Sequence, residues 1–305
     1  MKIAALDIGG TAIKYYLYNN QYDLIKDHVF ETPTNAHLGG KALMEKVRTI
    51  LNSMGEFDAI AISSAGQVDP VAGSIIYATD NIPQYTGTQI KKNLEELFHV
   101  PVVVENDVNA AALGEATSGA GKNYDSFLCL TYGTGIGGAI IINHQIYHGN
   151  SFCAGEMGHI ITHAGGLKCT CGNCGCYESY ASTTALIRTV KEHTGLNLNG
   201  REIFEVIDTD SRVKEGVTAW IDEVIWGLVS LIYIFNPPAI ILGGGIMNEE
   251  FIRNTIQQNI GNHLMQSYRQ IQIRKAVLGN TAGLQGMIHL AKIQMEKRGN
   301  MDHVI

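Results

Sequence analysis

The sequence predicts an α/β protein of two lobes, organised around a duplicated unit of strand, glycine turn and strand. Three observations support this prediction. Short apolar strands alternate with helical stretches along the 305 residues, the strand and glycine-turn pattern occurs twice, and one short loop holds four of the six cysteines. Alternating strands and helices are typical of a largely parallel sheet that binds ligands at the carboxyl ends of its strands.

The first copy of the unit opens the chain. Residues 2–6 form an apolar strand, DIGGT at 7–11 is a glycine turn, and residues 12–18 form a returning strand before a turn at Asn19-Asn20. Backbone N–H groups in such a turn, together with the hydroxyl of Thr11, can converge on an anion. The pattern therefore predicts a hairpin with an anion-binding turn.

The second copy begins at Phe127. FLCLTY is followed by GTGIGG, then by AIIIN and a short strand at 145–147. A single glycine turn of this kind is equally consistent with a plain hairpin. Two copies favour a clamp for the phosphates of a nucleotide.

Helices and strands fill the rest of the chain. We predict helices at 39–54, 88–98, 108–118, 182–194, 200–208, 212–235, 248–265 and 281–297, and strands at 58–64, 102–104, 239–242 and 271–275. The strand at 239–242 runs into a third glycine turn, Gly243-Gly244-Gly245. We place an N-terminal lobe at 1–118 and a C-terminal lobe at 119–281, with a final helix at about 282–305 packing back on the first lobe.

One loop is dense in metal-binding side chains. Two histidines and four cysteines lie within His159–Cys176, and the carboxylates Glu156 and Glu178 flank them. Thiolate and imidazole ligands suit tetrahedral Zn²⁺, although the spacing leaves open which four would bind. The cysteines could instead be small buried thiols. A nucleic-acid-reading zinc ribbon is disfavoured because Lys168 is the only basic residue among them.

Two aspartates at strand ends are candidates for chemistry. Asp107 follows a buried strand and begins a helix, where it could remain ionised and accept a proton from a hydroxyl. An aspartate there could equally be a helix N-cap. Asp7 adjoins the first glycine turn and could orient Mg²⁺ through water, or could simply form the turn. A phosphate clamp, a carboxylate that could orient Mg²⁺ and a base that could accept a proton together indicate phosphoryl transfer from a nucleotide to an alcohol.

Composition excludes several other classes of protein. The net charge is −7 and the pI is near 5.9, which argues against nucleic acid or an anionic membrane as a partner. The apolar stretch 224–247 is broken by Asn-Pro-Pro and Gly-Gly-Gly, so we expect no membrane span. Met1 leads directly into a predicted strand, so we expect no signal peptide, and the thiols are clustered. We therefore expect a cytoplasmic protein.

Taken together, these motifs resemble the ROK (repressor, open reading frame, kinase) family of sugar kinases, which includes glucokinases and N-acetylmannosamine kinases. The matching segments are DIGGT at 7–11, SAGQVD at 64–69, NIP at 81–83, ENDVNAAALGE at 105–115, LTYGTGIGGAI at 130–140, GEMGH at 155–159, CTCGNCGCYES at 169–179 and LGGGI at 242–246. The resemblance implies the duplicated, two-lobed, actin-like ATPase fold, which is related to ribonuclease H, with a zinc-stabilised loop. It also implies an ATP-dependent hexose kinase that uses Mg²⁺.

The resemblance assigns roles to individual residues. It makes Asp107 the catalytic base. It implies that the sugar is held by Gly66, Asn81, Asn106, Asp107, Glu156, His159 and Glu178. It implies that ATP and its metal are bound by Asp7, Gly9, Gly10, Thr11, Lys14, Thr134, Gly135, Gly243, Gly244 and Gly245. It implies that structural Zn²⁺ is bound by His159, Cys169, Cys171 and Cys176, with Cys174 at a variable position of the pattern.

Two segments depart from the family pattern. Ala65-Gly66-Gln67 stands where many glucose-type members have Pro-Gly-Pro, and Gln84-Tyr85 stands where they have Gly-Trp. Both flank the expected sugar site, so glucose, N-acetylmannosamine, fructose and a β-glucoside all stay open as substrates. We expect phosphorylation at O6 and a homodimer, the default for such folds.

Two other classes of function remain. A sugar-sensing regulator of the same family would bind sugar without turnover, but it would not need the base. A polymerising or chaperone ATPase of the superfamily would lack the sugar residues and the zinc loop.

Overall fold

The computed structural model describes residues 1–19 and 29–302, and for 299–302 it describes the backbone alone. The second residue of the predicted Asn19-Asn20 turn, and residues 303–305 of the predicted last helix, lie outside this range. The chain divides into two compact units. The first contains Met1–Lys122, His144–Ala154 and the segment from Leu278, and the second contains Asn123–Asn143 and Gly155–Val277. The predicted lobe boundaries, 1–118 and 119–281, stay a prediction.

The first unit is built on a five-stranded sheet with the order β3-β2-β1-β4-β7. Its strands are β1 (Lys2–Ile8), β2 (Ala12–Asn19), β3 (Phe30–Pro33), β4 (Ala59–Ser64) and β7 (Val102–Asn106). The strands β1, β4 and β7 are parallel, and their registers align Ile8 with Ser64 and Ser64 with Asn106. Their carboxyl ends therefore lie at one edge of the sheet.

Helices cover this sheet, and three short strands lie outside it. The helices are α1 (Gly39–Ser53), α2 (Ile90–Phe98), α3 (Asp107–Ser118) and α9 (Ala282–Asp302); the short strands are β5 (Gln67–Asp69), β6 (Ser74–Tyr77) and β10 (Gln145–Ile146). On one face, Leu6, Ile8 and Ile62 pack with α1. On the other face, small residues such as Ala5 and Ala61 form a core with Leu284 of α9.

The contact between α3 and α9 is unusually close because glycine lies on both helices. A Cβ atom at Gly114 would lie 2.2 Å from the carbonyl oxygen of Ala282, and one at Gly286 would lie 1.9 Å from that of Ala110. Real Cβ atoms do not approach an oxygen so closely, so neither position tolerates a larger residue without displacement of a helix. This packing fixes α3, whose first residue is Asp107.

In the second unit, the sheet order is β9-β8-β11-β12. Its strands are β8 (Phe127–Tyr132), β9 (Ile136–Ile142), β11 (Ala239–Gly243) and β12 (Gln272–Lys275), and its helices are α4 (Glu178–Ala181), α5 (Thr183–Thr194), α6 (Gly200–Val206), α7 (Ser211–Phe235) and α8 (Glu250–Asn259). Strands β8 and β9 form a hairpin like that of β1 and β2, as the duplicated pattern predicts. Strands β8 and β11 are parallel, so their carboxyl ends also share an edge.

Helix α7 bears on the expectation that the chain has no membrane span. It has 25 residues and contains a window with a mean hydropathy of 1.6, so by length and composition it could cross a membrane. The apolar stretch assessed in the sequence analysis, 224–247, did not include the first thirteen residues of this helix, although the helix itself was predicted at 212–235. Within the structure, however, 56% of that window is buried, and Trp220, Ile221 and Val224 are fully covered. This burial is what a core helix requires.

Candidate functional site

The first group of predicted site residues lies at the carboxyl edge of the β1-β4-β7 strands. Asp7 is the penultimate residue of β1, and its Oδ1 accepts a hydrogen bond of 2.7 Å from the Ser63 hydroxyl at the end of β4. Burial raises the pKa of Asp7, whereas the Ser63 bond and the positive charge of Lys14 lower it. Lys14 stands opposite Asp7 in the β1-β2 register. A hard carboxylate with a cation beside it is therefore present where the sequence predicted it.

The turn after β1 presents open backbone. The N–H of Gly9 donates a hydrogen bond of 3.0 Å to the carbonyl of Ala12, which closes the turn. Gly10 and Thr11 are exposed at the tip of this turn. A Cβ at Gly10 would meet no atom within 4 Å, so a ligand can approach the backbone there. The turn thus has the form of an anion site.

Asn106 is the cap of helix α3. Its Oδ1 accepts from the N–H groups of Val108, at 2.9 Å, and Asn109, at 3.0 Å. Its Nδ2 donates to the carbonyl of Gly66 and to Oδ1 of Asp107, both at 3.0 Å. The N-cap is therefore Asn106, which leaves Asp107 free of that role. Through Asn106, the β4-β5 turn and Asp107 are held in one network.

Asp107 is half-buried and held through one oxygen. Among the described residues, the hydrogen bonds to its side chain from Val108 N–H (2.9 Å) and Asn106 (3.0 Å) both end on Oδ1. Burial, and then the negative charge of Asp7, raise the pKa of Asp107 to about 6, against the lowering effect of these bonds. A carboxylate with a pKa near 6 is mostly ionised at pH 7 and can still accept a proton.

Two other predicted positions lie in turns of the first unit. Gly66 has φ of +100°, which favours glycine, and its Cβ would lie 2.9 Å from the carbonyl oxygen of Tyr77. Asn81 lies exposed in the turn after β6. Nearby, the hydroxyls of Ser64 and Tyr85 form a buried hydrogen bond of 2.8 Å, and burial raises the pKa of Tyr85 to about 12. Tyr85 thus anchors the end of β4 from within the core, a contact that the sequence analysis did not foresee.

In the second unit, two glycine turns share one edge of the sheet. Gly243 pairs with Thr131, which places Gly243–Gly245 beside the turn that contains Thr134 and Gly135. Gly244 has φ of +95°, and a Cβ there would lie 2.1 Å from the carbonyl oxygen of Tyr132. The nucleotide-binding positions predicted in this unit are therefore neighbours.

Glu178 links the second glycine turn to the cysteine loop. Its Oε2 accepts a hydrogen bond of 3.2 Å from the N–H of Ile136, and a Cβ at Gly135 would lie only 2.5 Å from that oxygen. Its Oε1 lies 3.8 Å from Nδ1 of His159 and 3.2 Å from Sγ of Cys169. Glycine at 135 is required for this approach, and Glu178 contacts both predicted sites of the unit.

The ligand atoms of His159, Cys169, Cys171 and Cys176 all lie within 4.8 Å of one another. Sγ of Cys171 and Cys176 are 3.6 Å apart, and Sγ of Cys169 is 3.7 Å from Nδ1 of His159. Tetrahedral Zn²⁺ with Zn–S bonds of about 2.3 Å requires sulfur atoms about 3.8 Å apart. The donor set and its spacing therefore fit zinc. Cys174 is exposed and is not one of the four.

His159 has two different neighbours. Its Nδ1 is directed towards the cysteines, while its Nε2 lies 4.0 Å from Oε2 of Glu156. One ring nitrogen is thus available to a metal and the other to a polar ligand beside Glu156. Burial raises the pKa of the Cys169 and Cys176 thiols, so a cation is needed to hold them as thiolates at neutral pH.

The two sheets with their hairpins and glycine turns define a protein of the actin-like ATPase fold. The ROK family model matches residues 3–294, and the chain belongs to the ROK family. It is 35% identical to a β-glucoside kinase of Listeria monocytogenes, covering 95% of this chain and 97% of the relative. It is 32% identical to a glucokinase of Streptomyces coelicolor, covering 94% and 96%. A crystal structure of a ROK glucokinase from Streptomyces griseus, in complex with glucose and AMPPNP, superposes with a TM-score of 0.82 at 31% identity, covering 96% of this chain and 99% of that one.

Proposed function

We propose that this protein is an ATP-dependent hexose kinase that transfers the γ-phosphoryl group to O6 of glucose, N-acetylmannosamine or a related hexose. The observation that carries the proposal is Asp107. It is a half-buried carboxylate with a pKa raised to about 6, held by Oδ1 at the edge where the Gly9–Thr11 turn and Asp7 also lie. The family relation to glucokinases and a β-glucoside kinase supports the same activity.

In the proposed reaction, Asp107 accepts the proton of the sugar hydroxyl as its oxygen attacks the γ-phosphorus. The bond from that phosphorus to the β-γ bridging oxygen breaks, and ADP leaves. The hydrogen bonds from Asn106 and Val108 orient the carboxylate. Phosphoryl transfer depends mainly on such positioning and on neutralised charge.

We assign the remaining roles as the resemblance implies. Gly66, Asn81, Asn106, Glu156, His159 and Glu178 would hold the sugar with Asp107. Gly9, Gly10, Thr11, Lys14, Thr134, Gly135 and Gly243–Gly245 would contact ATP. The Asp7 carboxylate would hold Mg²⁺ through water, which suits a hard oxygen ligand beside phosphates. When bound, Mg²⁺ would neutralise charge on the transferring phosphate.

The experiment that tests the kinase is ADP release from ATP·Mg²⁺ across glucose, N-acetylmannosamine, N-acetylglucosamine, mannose, fructose and cellobiose. We expect one sugar to give a clear rate and ATP alone to give little. Asp107→Asn should lose about 10² to 10⁴ in turnover while retaining sugar binding. The exposed Asp208 provides a matched control, because Asp208→Asn should leave the rate unchanged. Full turnover by Asp107→Asn would refute the base assignment.

The alternative is a sugar-sensing regulator of the same family. It would bind a hexose in calorimetry and release no ADP with any sugar of the panel. The position of Asp107 favours the kinase, because it follows β7 at the edge where Asp7 and the Gly9–Thr11 turn also lie, and a protein that only binds sugar would not need a base there.

We propose that His159, Cys169, Cys171 and Cys176 bind one structural Zn²⁺, which would fix the position of Glu178 and of Nε2 of His159. Metal analysis should find about one zinc per chain. Cys176→Ser should lose zinc together with sugar affinity, whereas Cys174→Ser should retain both. A folded, active, zinc-free protein would contradict the assignment. A site of three thiolates also accords with our placement of the protein in the reducing cytoplasm.

We propose that the protein is a homodimer, and one face of α7 supports this. Trp226, Tyr233 and Ile234 share that face, Met265 adjoins it, and each is 37% to 68% exposed. Residues 224–235 contain no charged side chain. At about 200 Å² per large side chain, the four expose roughly 400 Å², against about 800 Å² per partner in a standard interface. An isologous contact would pair this face with itself.

Sedimentation at a protein concentration of about 50 μM tests the dimer, because a stable interface stays associated at that concentration. The wild-type protein should be dimeric and Ile234→Asp monomeric. Val71→Asp, a change at a 71% exposed residue of the first unit, should remain dimeric. A monomeric wild type, or a dimer that survives Ile234→Asp, would refute this interface.

A further inference from the structure

We propose that His148 is a positioning residue for phosphoryl transfer, which acts on Asp107 through the buried carboxylate of Glu105. This inference rests on the proposed kinase function. Neither residue was singled out by the sequence analysis as part of the site. The structure joins them by a hydrogen bond of 2.7 Å, from Nε2 of His148 to Oε2 of Glu105, across 43 residues of sequence.

Glu105 is the residue before Asn106 in β7, and its side chain is 3% exposed. Its Oε1 accepts two hydrogen bonds, one of 2.9 Å from the backbone N–H of Asn106 and one of 3.1 Å from Nδ2 of Asn109. Its Oε2 accepts from His148. A buried carboxylate is tolerated only where hydrogen bonds or a counter-charge replace its hydration. Glu105 therefore depends on three donors, and His148 is the one that comes from outside the β7-α3 connection.

His148 is held in place by its own segment, residues 144–154. The carbonyl oxygen of His148 accepts a hydrogen bond of 3.1 Å from the N–H of Ala154, and this bond closes a loop. The ring stands edge-on to Phe152 with 6.3 Å between the centroids. Phe152 has φ of +61°, a conformation that costs energy for a bulky residue and persists where the surroundings enforce it. The loop thus presents the imidazole to Glu105 in a fixed orientation.

The contacts form a short chain that ends at the base. His148 donates to Glu105, Glu105 accepts from the backbone of Asn106, and the side chain of Asn106 donates to Oδ1 of Asp107. The same asparagine side chain binds the carbonyl of Gly66. A rotation of the Glu105 carboxylate would therefore be transmitted to the position of the Asp107 carboxylate.

One acceptor beside this network is already unpaired. Among the described residues, Oδ1 of Asn109 is buried without a hydrogen-bond partner. Loss of the His148 ring would leave Oε2 of Glu105 unpaired as well. The carboxylate would then have to rotate away from Asn106 or take up a proton. Either change loosens the turn that carries Asp107.

The test uses steady-state kinetics with the sugar that the wild-type protein phosphorylates. His148→Ala should lower kcat by about 10- to 100-fold, the order expected when a reacting group is misplaced by up to about 1 Å. KM for ATP should stay within about twofold, since the nucleotide contacts are elsewhere. His148→Gln, whose amide can donate to Oε2, should recover most of the loss. Tyr147→Ala, at the exposed neighbouring residue, should behave as the wild type.

A double-mutant cycle provides the second arm. If His148 acts through Glu105, the double variant Glu105→Ala/His148→Ala should be no slower than Glu105→Ala alone. Additive losses would overturn the proposal, as would a His148→Ala enzyme with kcat within twofold of wild type, or equal losses in kcat and in ATP affinity. If His148→Ala does not fold, a His148→Gln enzyme slowed as much as Glu105→Ala would also overturn it. A wild-type protein without turnover on any sugar would refute the kinase itself, whereas the other results refute only the role of His148.

Discussion

Replacement of Asp107 by asparagine should stabilise the protein while it lowers turnover by about 10² to 10⁴. Asparagine keeps the oxygen that accepts from Val108 and Asn106. It removes a negative charge that is half-buried and close to Asp7, the two causes that raise the pKa of Asp107 from 3.8 to about 6. The folded state disfavours this charge, so its removal should stabilise the protein.

The magnitude follows from proton linkage. Well below pH 3.8 the carboxyl group is protonated in both folded and unfolded chains and costs nothing. Between pH 3.8 and about 6 the unfolded chain releases the proton while the folded chain keeps it, so the stability of the wild type falls as pH rises. At 1.36 kcal/mol per unit of pKa, the cost is about 0.5 kcal/mol at pH 4, about 1.6 at pH 5 and about 3 at pH 8. Asp107→Asn should regain these amounts.

Urea unfolding at pH 4, 5 and 8, without ATP or Mg²⁺, measures the difference. Far-UV circular dichroism is the suitable probe, because both tryptophans, Trp220 and Trp226, lie in the second unit and their fluorescence does not report on Asp107. The exposed Asp208→Asn variant is again the control and should match the wild type at each pH.

Two results would refute the reasoning. One is an Asp107→Asn protein that is no more stable than the wild type at pH 8, which would mean that the carboxylate is not strained by its surroundings. The other is a gain of equal size at pH 4 and pH 8, which would mean that the stabilisation does not come from the charge.

Three further predictions follow from the same contacts. The value of kcat/KM should fall as pH drops through about 6, because Asp107 must be ionised to accept a proton; a flat pH-rate profile down to pH 5 would contradict this. Gly286→Ala should destabilise the first unit by about 1 to 3 kcal/mol in urea, since its Cβ would lie 1.9 Å from a carbonyl oxygen of α3, whereas Gly261→Ala, with open space around it, should not. Gly244→Ala should weaken binding of a non-hydrolysable ATP analogue at least about tenfold. A φ of +95° disfavours any side chain, and the new Cβ would lie 2.1 Å from the carbonyl oxygen of Tyr132, so the turn would have to move. Unchanged affinity in calorimetry would exclude that turn from the nucleotide site.

The elements of the fold could be predicted where the signal was local. The strand before DIGGT and the strand before Gly243 are apolar runs ended by glycine, and the structure has β1 and β11 there. The helix predicted at 248–265 was wrong in its second half. Helix α8 ends at Asn259, and 3₁₀ turns follow, because Gly261 lowers helix propensity and the buried Ile260 and Leu264 pack without a continued helix.

The candidate site could be predicted for a topological reason. Parallel strands bring their carboxyl ends to one edge, so residues that follow β1, β4 and β7 become neighbours whatever lies between them in the chain. The same reasoning places the Thr134 and Gly243 turns together. Sequence alone did not settle which residue caps α3; the structure shows that Asn106 does, and this is what leaves Asp107 available for chemistry.

The support of the site could not be predicted, because its partners carry no pattern. Glu105 belongs to a recognisable motif, but its two oxygens are used by backbone, by the next turn of helix and by a histidine 43 residues away. Gly283 likewise has no local signal, yet its Cβ would lie 3.2 Å from the Asp7 carboxylate, a tight contact that a larger residue could make only if that carboxylate shifted. The Asp7 carboxylate is held by Ser63 from another strand, whereas Asp107 is held by its neighbours Asn106 and Val108. The distant contact at Asp107 is indirect, from His148 to Glu105. A sequence motif therefore proposes the reacting groups, whereas their pKa values and orientation depend on contacts that only the folded chain creates.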